Sequence, residues 1–220
     1  MRSADMDIAV LGCYMNLADP DPVRLQEAKE KYYAHFRLAS LMGAAMVGTE
    51  TGAPNSAYRY DEQTHSDAAL KTFLYNLEDV VAEAEARGAT LAIEPVWRHI
   101  VYNADRAVEV LNSIGSQNLR IIFDPVNLLD LDNVERRDFV FADAIDKLGD
   151  KVAMVHLKDY RIENGKMVSV AAGTGEMDYT RILRFMKHSK PYIHATLEDT
   201  CNENAVQARV SIQQMYDRIE

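Results

Sequence analysis

Short apolar runs alternate with amphipathic stretches along the whole chain, and this alternation restricts the fold more than any single motif. Apolar runs of strand length occupy 8–13, 45–49, 90–93, 119–123, 152–157 and 192–197. The stretches 22–42, 66–87, 104–113, 135–148, 178–188 and 203–218 instead carry apolar residues at three- and four-residue steps, the period of a helix with one buried face. Punctuation agrees: Asp21-Pro22 and Asp178 stand where helices should begin, and Gly88 stands where one should end in a left-handed cap. Strands apolar on both faces, each followed by a helix, imply a parallel sheet covered by helices, either doubly wound or closed into a barrel. No low-complexity segment or linker interrupts the pattern, so 1–220 reads as a single domain.

Charge and composition narrow the function. The formal net charge is -10, from 34 acidic and 24 basic residues, which disfavours a surface that tracks phosphates and so a nucleic-acid partner. No apolar run is long enough to cross a bilayer, and MRSADMDIAV lacks the basic-then-apolar pattern of a signal peptide, so no membrane role and a cytoplasmic location are expected. Cys13 and Cys201 lie far apart outside any CxxC pattern, and reduced thiols are the simplest reading.

Polar residues recur where the strands finish. Glu50 follows AAMVGT, Glu94 follows TLAI, Asp124 follows LRIIF, His156 lies within VAMVHLKD, and Glu198 follows YIHATL. One acidic residue at a strand end is ordinarily a helix cap or a surface charge. Recurrence on consecutive strands is different, because carboxylates converging in a partly buried site need a compensating cation. In a barrel of parallel strands such positions meet at the carboxyl-terminal rim. Carboxylate oxygens with one imidazole make a mainly hard donor set, suited to one divalent metal ion, Mn²⁺ first, with Mg²⁺, Co²⁺ and Zn²⁺ compatible. Open positions on such an ion could take two vicinal oxygens of a small-molecule sugar or keto-polyol.

In order and spacing, AIEP, FDPVN, VHLKD and TLED resemble the sugar isomerase and epimerase family with the xylose isomerase-like TIM barrel, whose members include ketose 3-epimerases and enzymes of inositol catabolism. The resemblance implies an α/β fold, a TIM (β/α) barrel of that type, and one metal held by Glu94, Asp124, His156 and Glu198. It also implies catalysis by Glu94 and Glu198 on opposite faces of the substrate, one taking a proton beside a carbonyl and the other returning one through an enediolate. Asp124 and His156 would be ligands only. Six βα units are counted where the family has eight, so the barrel is expected to lack the first two. MRSADMDIAVLG then reads as the tail of a helix leading into the third family strand, with N-terminal truncation. The exposed sheet edges left behind would favour a homo-oligomer.

Around this core, the candidate substrate contacts are Asn127, Arg161, Lys158, His99 and Trp97. Asn127 stands where several relatives carry a histidine, which tells against a simple ketose 3-epimerase. Lys158, two residues beyond His156, could polarise a carbonyl, act as acid or base, or neutralise Asp159. Trp97 could wall a sugar ring or pack a loop onto the barrel. The segment TGAPNSAYR forms a polar loop above the site, with Arg59 as an anion contact. GTGEMDY has glycines but neither P-loop nor dinucleotide spacing, and reads as a structural turn. His35, His65, His188 and His194 read as structural or surface residues.

The leading function is therefore a divalent-metal-dependent isomerase or epimerase. An inosose-type dehydratase on the same site is the alternative within enzymes. A non-catalytic truncated barrel acting as a binding or oligomer-forming protein is the alternative from another class. The endonuclease branch of the fold is excluded by the lack of extra histidines and of a basic surface.

Overall fold

A computed structural model describes residues 6–220, so the expected helix tail at the start of the chain falls partly outside the described residues. The chain divides into two compact units, Met1–Ile122 and Phe123–Glu220.

The first unit runs β1 (Leu11–Gly12), α1 (Pro22–Met42), β2 (Val47–Glu50), α2 (Asp67–Ala86), β3 (Leu91–Glu94), α3 (Ala104–Ile114) and β4 (Leu119–Phe123), whose last residue opens the second unit. Neighbouring strands pair in parallel, β1 with β2, β2 with β3 and β3 with β4. Parallel pairing needs a crossover between strands, and the helices supply it. Successive residues of β3 point to opposite faces, yet Leu91, Ala92 and Ile93 are all fully buried, so both faces are covered. Gly48 is required in β2, because a Cβ there would stand 2.8 Å from both Ile122 and Val10 side-chain carbons. Strand β1 is shorter than its apolar run of 8–13, and Tyr14 beyond it is exposed.

Each helix starts and stops for a local reason. Asp21 accepts from the Val23 and Arg24 amides ahead of α1, Ser66 from Ala69 ahead of α2, and Asn103 from Arg106 ahead of α3. Gly43 and Gly115 close α1 and α3 in the left-handed region. Helix α1 buries Ala28, Tyr32, Phe36 and Ala39 along one stripe, and α2 buries Leu70, Phe73, Leu77, Val80 and Ala84. Each large apolar side chain so buried contributes roughly 2 kcal/mol.

The second unit holds α4 (Arg137–Leu148), β5 (Val152–Leu157), β6 (Asp159–Glu163), β7 (Lys166–Val170), α5 (Thr180–Ser189), β8 (His194–Leu197) and α6 (Ala205–Asp217). Strands β5 and β8 pair in parallel, with His156 opposite Thr196 and Leu157 opposite Leu197. Its core gathers Met154, Val155, Leu157, Ile182, Leu183 and Phe141. The antiparallel hairpin β6–β7 departs from the expected βα pattern. Its turn is Asn164-Gly165, both at positive φ, the pairing that suits a two-residue hairpin turn. The hairpin escapes an apolar-run search because, past Tyr160, its residues are exposed or half-exposed.

Among the described residues no helix is long and apolar enough to cross a membrane. The two cysteines differ sharply: Cys13 is buried and Cys201 exposed. Burial pushes the Cys13 thiol up to about 12, opposed by Lys31. A disulfide reagent at pH 8 is expected to titrate one thiol quickly in the native protein and both in denaturant, with Cys201→Ser removing the fast one. Two fast equivalents in the native protein would contradict the burial of Cys13.

Candidate active site

In the first unit, β2 and β3 end at the same level, with Glu50 opposite Glu94 in the parallel register. Residues paired this way project to the same face. Glu94 is 2% exposed at the end of a strand without another polar side chain. The loops above are tied down by backbone: Ile100 N donates to Gly52 O at 3.0 Å, and Val101 N to Thr51 Oγ1 at 3.0 Å. This tether brings His99 over the end of β2, with Nδ1 3.8 Å from Glu50 Oε2. Tyr58 reaches the same carboxylate oxygen from the loop after β2, donating from its hydroxyl at 3.3 Å, and its ring meets His99 edge-on with centroids 5.2 Å apart.

Burial and then the charge of Glu50 drive the Tyr58 phenol upward, with Glu94 among the smaller causes. Burial pushes His99 down to about 4, opposed by Glu94, so its imidazole is neutral at pH 7. Trp97, the only tryptophan, packs edge-on against His65 and Tyr102, and its carbonyl meets His65 Nε2 at 2.7 Å. His65 in turn stacks on Tyr102 with ring centroids 3.8 Å apart. Of the two expectations for Trp97, packing a loop is the one this aromatic cluster satisfies.

In the second unit, Asp124 is 1% exposed and turns the chain after β4. Its Oδ1 accepts from Val126 N at 2.9 Å and Asn127 N at 3.1 Å, while Oδ2 lies 3.0 Å from Lys158 Nζ. Lys158 also donates to Asn127 Oδ1 at 3.1 Å. The ammonium therefore pairs with Asp124; Asp159 is instead satisfied by the Tyr160 and Met177 amides, both at 2.8 Å. His156, 4% exposed on β5, offers a nitrogen within 4.8 Å of an Asp124 oxygen. Its Nδ1 stands 3.8 Å from Oε1 of the half-exposed Glu198, which also accepts from Thr196 Oγ1 at 3.1 Å. Two carboxylates and an imidazole thus cluster at the ends of β4, β5 and β8.

Ligands about 2.1 Å from one ion stand roughly 3 to 4 Å apart; Asp124 and His156 offer atoms within 4.8 Å of each other, and Glu198 is in that range of His156 Nδ1 alone. Arg161 stands apart from this group: it is exposed on β6, and its guanidinium donates to Thr174 O. Arg59 is also exposed, with backbone bonds to the Asn55 side chain. Tyr58 escaped the sequence reading, and only its membership of the polar loop after β2 could have pointed to it.

The family model described as xylose isomerase-like TIM barrel matches residues 1–217. No curated protein matches the chain. Among solved structures, a D-tagatose 3-epimerase-like protein superposes with TM-score 0.78 at 16% identity, over 98% of this chain and 79% of its own. The IOLI protein with a bound zinc atom gives TM-score 0.74 at 15% identity, over 97% and 78% of the two chains. A xylose isomerase-like TIM barrel protein from Mycobacterium smegmatis, in complex with magnesium, gives 0.72 at 15%, over 98% and 74%. Identities this low carry the fold alone, and they carry it over nearly the whole chain.

Proposed function

Because the chain belongs to the xylose isomerase-like TIM barrel family, we propose that it is a divalent-metal-dependent isomerase or epimerase of a small sugar or keto-polyol. The observation that carries this reading is the buried pair Asp124 and His156 at strand ends of the second unit, with ligand atoms within 4.8 Å of each other and Glu198 Oε1 3.8 Å from His156 Nδ1. Glu94, buried at the end of β3, joins them as the fourth ligand by the family resemblance. A divalent ion held there would supply the positive charge that offsets enediolate charge as it develops.

The chain's own residues do the rest. By the family resemblance, Glu94 and Glu198 take and return the proton on the carbon beside the carbonyl. Asp124 is held rigid by two backbone amides, which fixes its remaining oxygen toward the site. Lys158, pinned between Asp124 and Asn127, places a half-buried ammonium where a developing oxyanion would be stabilised. Asn127 and His99 are the hydroxyl contacts of this reading, whereas Arg161 is committed to the backbone of the glycine turn.

The test is solvent exchange. Protein loaded with Mn²⁺ and incubated in D₂O with a panel of ketoses and keto-inositols is expected to place deuterium on the carbon beside the carbonyl, read by NMR. Loss of water from the product would reassign the chemistry to a dehydratase on the same site. Absence of exchange across the panel defeats the proposal.

A further inference from the structure

We propose that Glu50, Tyr58 and His99 form a recognition pocket for an uncharged hydroxyl of the substrate, at the strand end next to Glu94 and distinct from it. The proposal rests on the keto-polyol reading for the kind of molecule, while its geometry lies wholly within the first unit. The three groups sit at the carboxyl end of β2, level with Glu94 in the register, on the rim where barrel sites are built.

Three observations point to a ligand here. The 3.8 Å between His99 Nδ1 and Glu50 Oε2 is too long for a hydrogen bond, and that nitrogen is buried with no hydrogen-bond partner among the described residues. Buried polar atoms are nearly always partnered, so this one calls for an explanation. A hydroxyl supplies one: it donates to the carboxylate and accepts from Nδ1–H of a neutral imidazole in the Nδ1-protonated tautomer.

The second observation is backbone strain. Tyr58 is held at φ 53°, the left-handed region that a bulky residue rarely enters. Asn55 braces it from both sides, its carbonyl accepting from Tyr58 N at 3.3 Å and its side-chain amide donating to Arg59 O at 2.8 Å. Gly52, at φ 72°, fixes the start of the same loop, where a Cβ would strike the Asn16 side chain. Strain maintained in this way aims the phenol, and such outliers concentrate at ligand clamps.

The third observation is charge. The ionised group of the pocket is a carboxylate, which accepts from a hydroxyl and sets anion against anion for a phosphate. The favoured substrate is therefore a ketose or keto-polyol without a phosphate at this end.

The experiment is calorimetric titration of the full chain, loaded with Mn²⁺, using D-tagatose, D-tagatose 6-phosphate and 1-amino-1-deoxy-D-fructose as probes, with metal content measured in parallel. Wild type is expected to bind the neutral ketose at least about tenfold tighter than its phosphate. Tyr58→Phe and His99→Phe are each expected to weaken D-tagatose about tenfold with metal content unchanged, and Glu50→Gln to narrow the gap between ketose and phosphate. Unchanged affinity in both ring variants, preference for the phosphate, preference for the amino sugar, or no binding of the neutral ketose would each overturn the pocket. Failure of the metal reading shows up separately, as a wild type that retains no divalent ion.

Discussion

Asp124→Asn is expected to strip the divalent ion from the protein and to lower turnover about a thousandfold, the scale seen when a preorganised electrostatic group is removed from a site. The asparagine carbonyl can still accept from the Val126 and Asn127 amides, so the turn after β4 survives. What the substitution removes is the charge on the oxygen 3.0 Å from Lys158 Nζ. Breaking a buried ion pair from one side costs about 3 to 5 kcal/mol, because the remaining charge is stranded. A lower melting temperature alone would therefore say nothing about metal. The double variant Asp124→Asn with Lys158→Met separates the two effects: removing the stranded ammonium is expected to recover most of the stability and none of the metal, read by elemental analysis of the purified protein. A single variant that holds as much divalent ion as wild type would remove Asp124 from the ligand set.

What was legible in the chain depended on which property the residues had to carry. The inner strands were visible because burial on both faces forces a run of apolar residues, as at Leu91 to Ile93 and Ile121 to Phe123, whereas β1 and β8 carry apolar residues although they are partly exposed. Two helix starts were visible because a cap needs a particular side chain at a particular place, as at Asp21 and Asp178, whereas the caps Ser66 and Asn103 were not singled out. The hairpin β6–β7 was hidden by its exposed faces, although Asn164-Gly165 marked its turn. The polar strand ends could be read together because a parallel sheet sends every strand toward the same end. That reading named Asp124, His156 and Glu198, of which the structure brings His156 near each of the other two. It could not find the partner of Lys158, since pairing with Asp124 rather than with its neighbour Asp159 depends on where the chain turns after β5. Nor could it find Tyr58, because a left-handed tyrosine is stabilised by Asn55 and Gly52 around it and leaves no mark on its own residue type.

Gly175→Ala is expected to destabilise the second unit by about 3 kcal/mol, at the upper end for an overpacked site. A Cβ at Gly175 would collide with the Tyr160 carbonyl oxygen and with the Asp159 carboxylate. Neither can move aside. The Tyr160 carbonyl accepts from Glu176 N at 2.8 Å, and Asp159, 1% exposed, accepts from the Tyr160 and Met177 amides at 2.8 Å each. Gly165→Ala is the control, because Gly165 has φ 69° and open space around a Cβ, so it reports left-handed strain alone, about 1 kcal/mol. Urea unfolding should rank the two variants in that order, and equal losses would mean that the turn is loose. The same contacts decide what the glycines at 173–175 are for. An anion-binding loop needs amides that face outward, whereas here Gly173 N donates to Tyr179 Oη, Thr174 N to Ala171 O, Glu176 N to Tyr160 O and Met177 N to Asp159. With those four amides engaged, the turn acts as a clasp that fixes Asp159, and through the chain beside it Lys158, rather than as a cradle for phosphate.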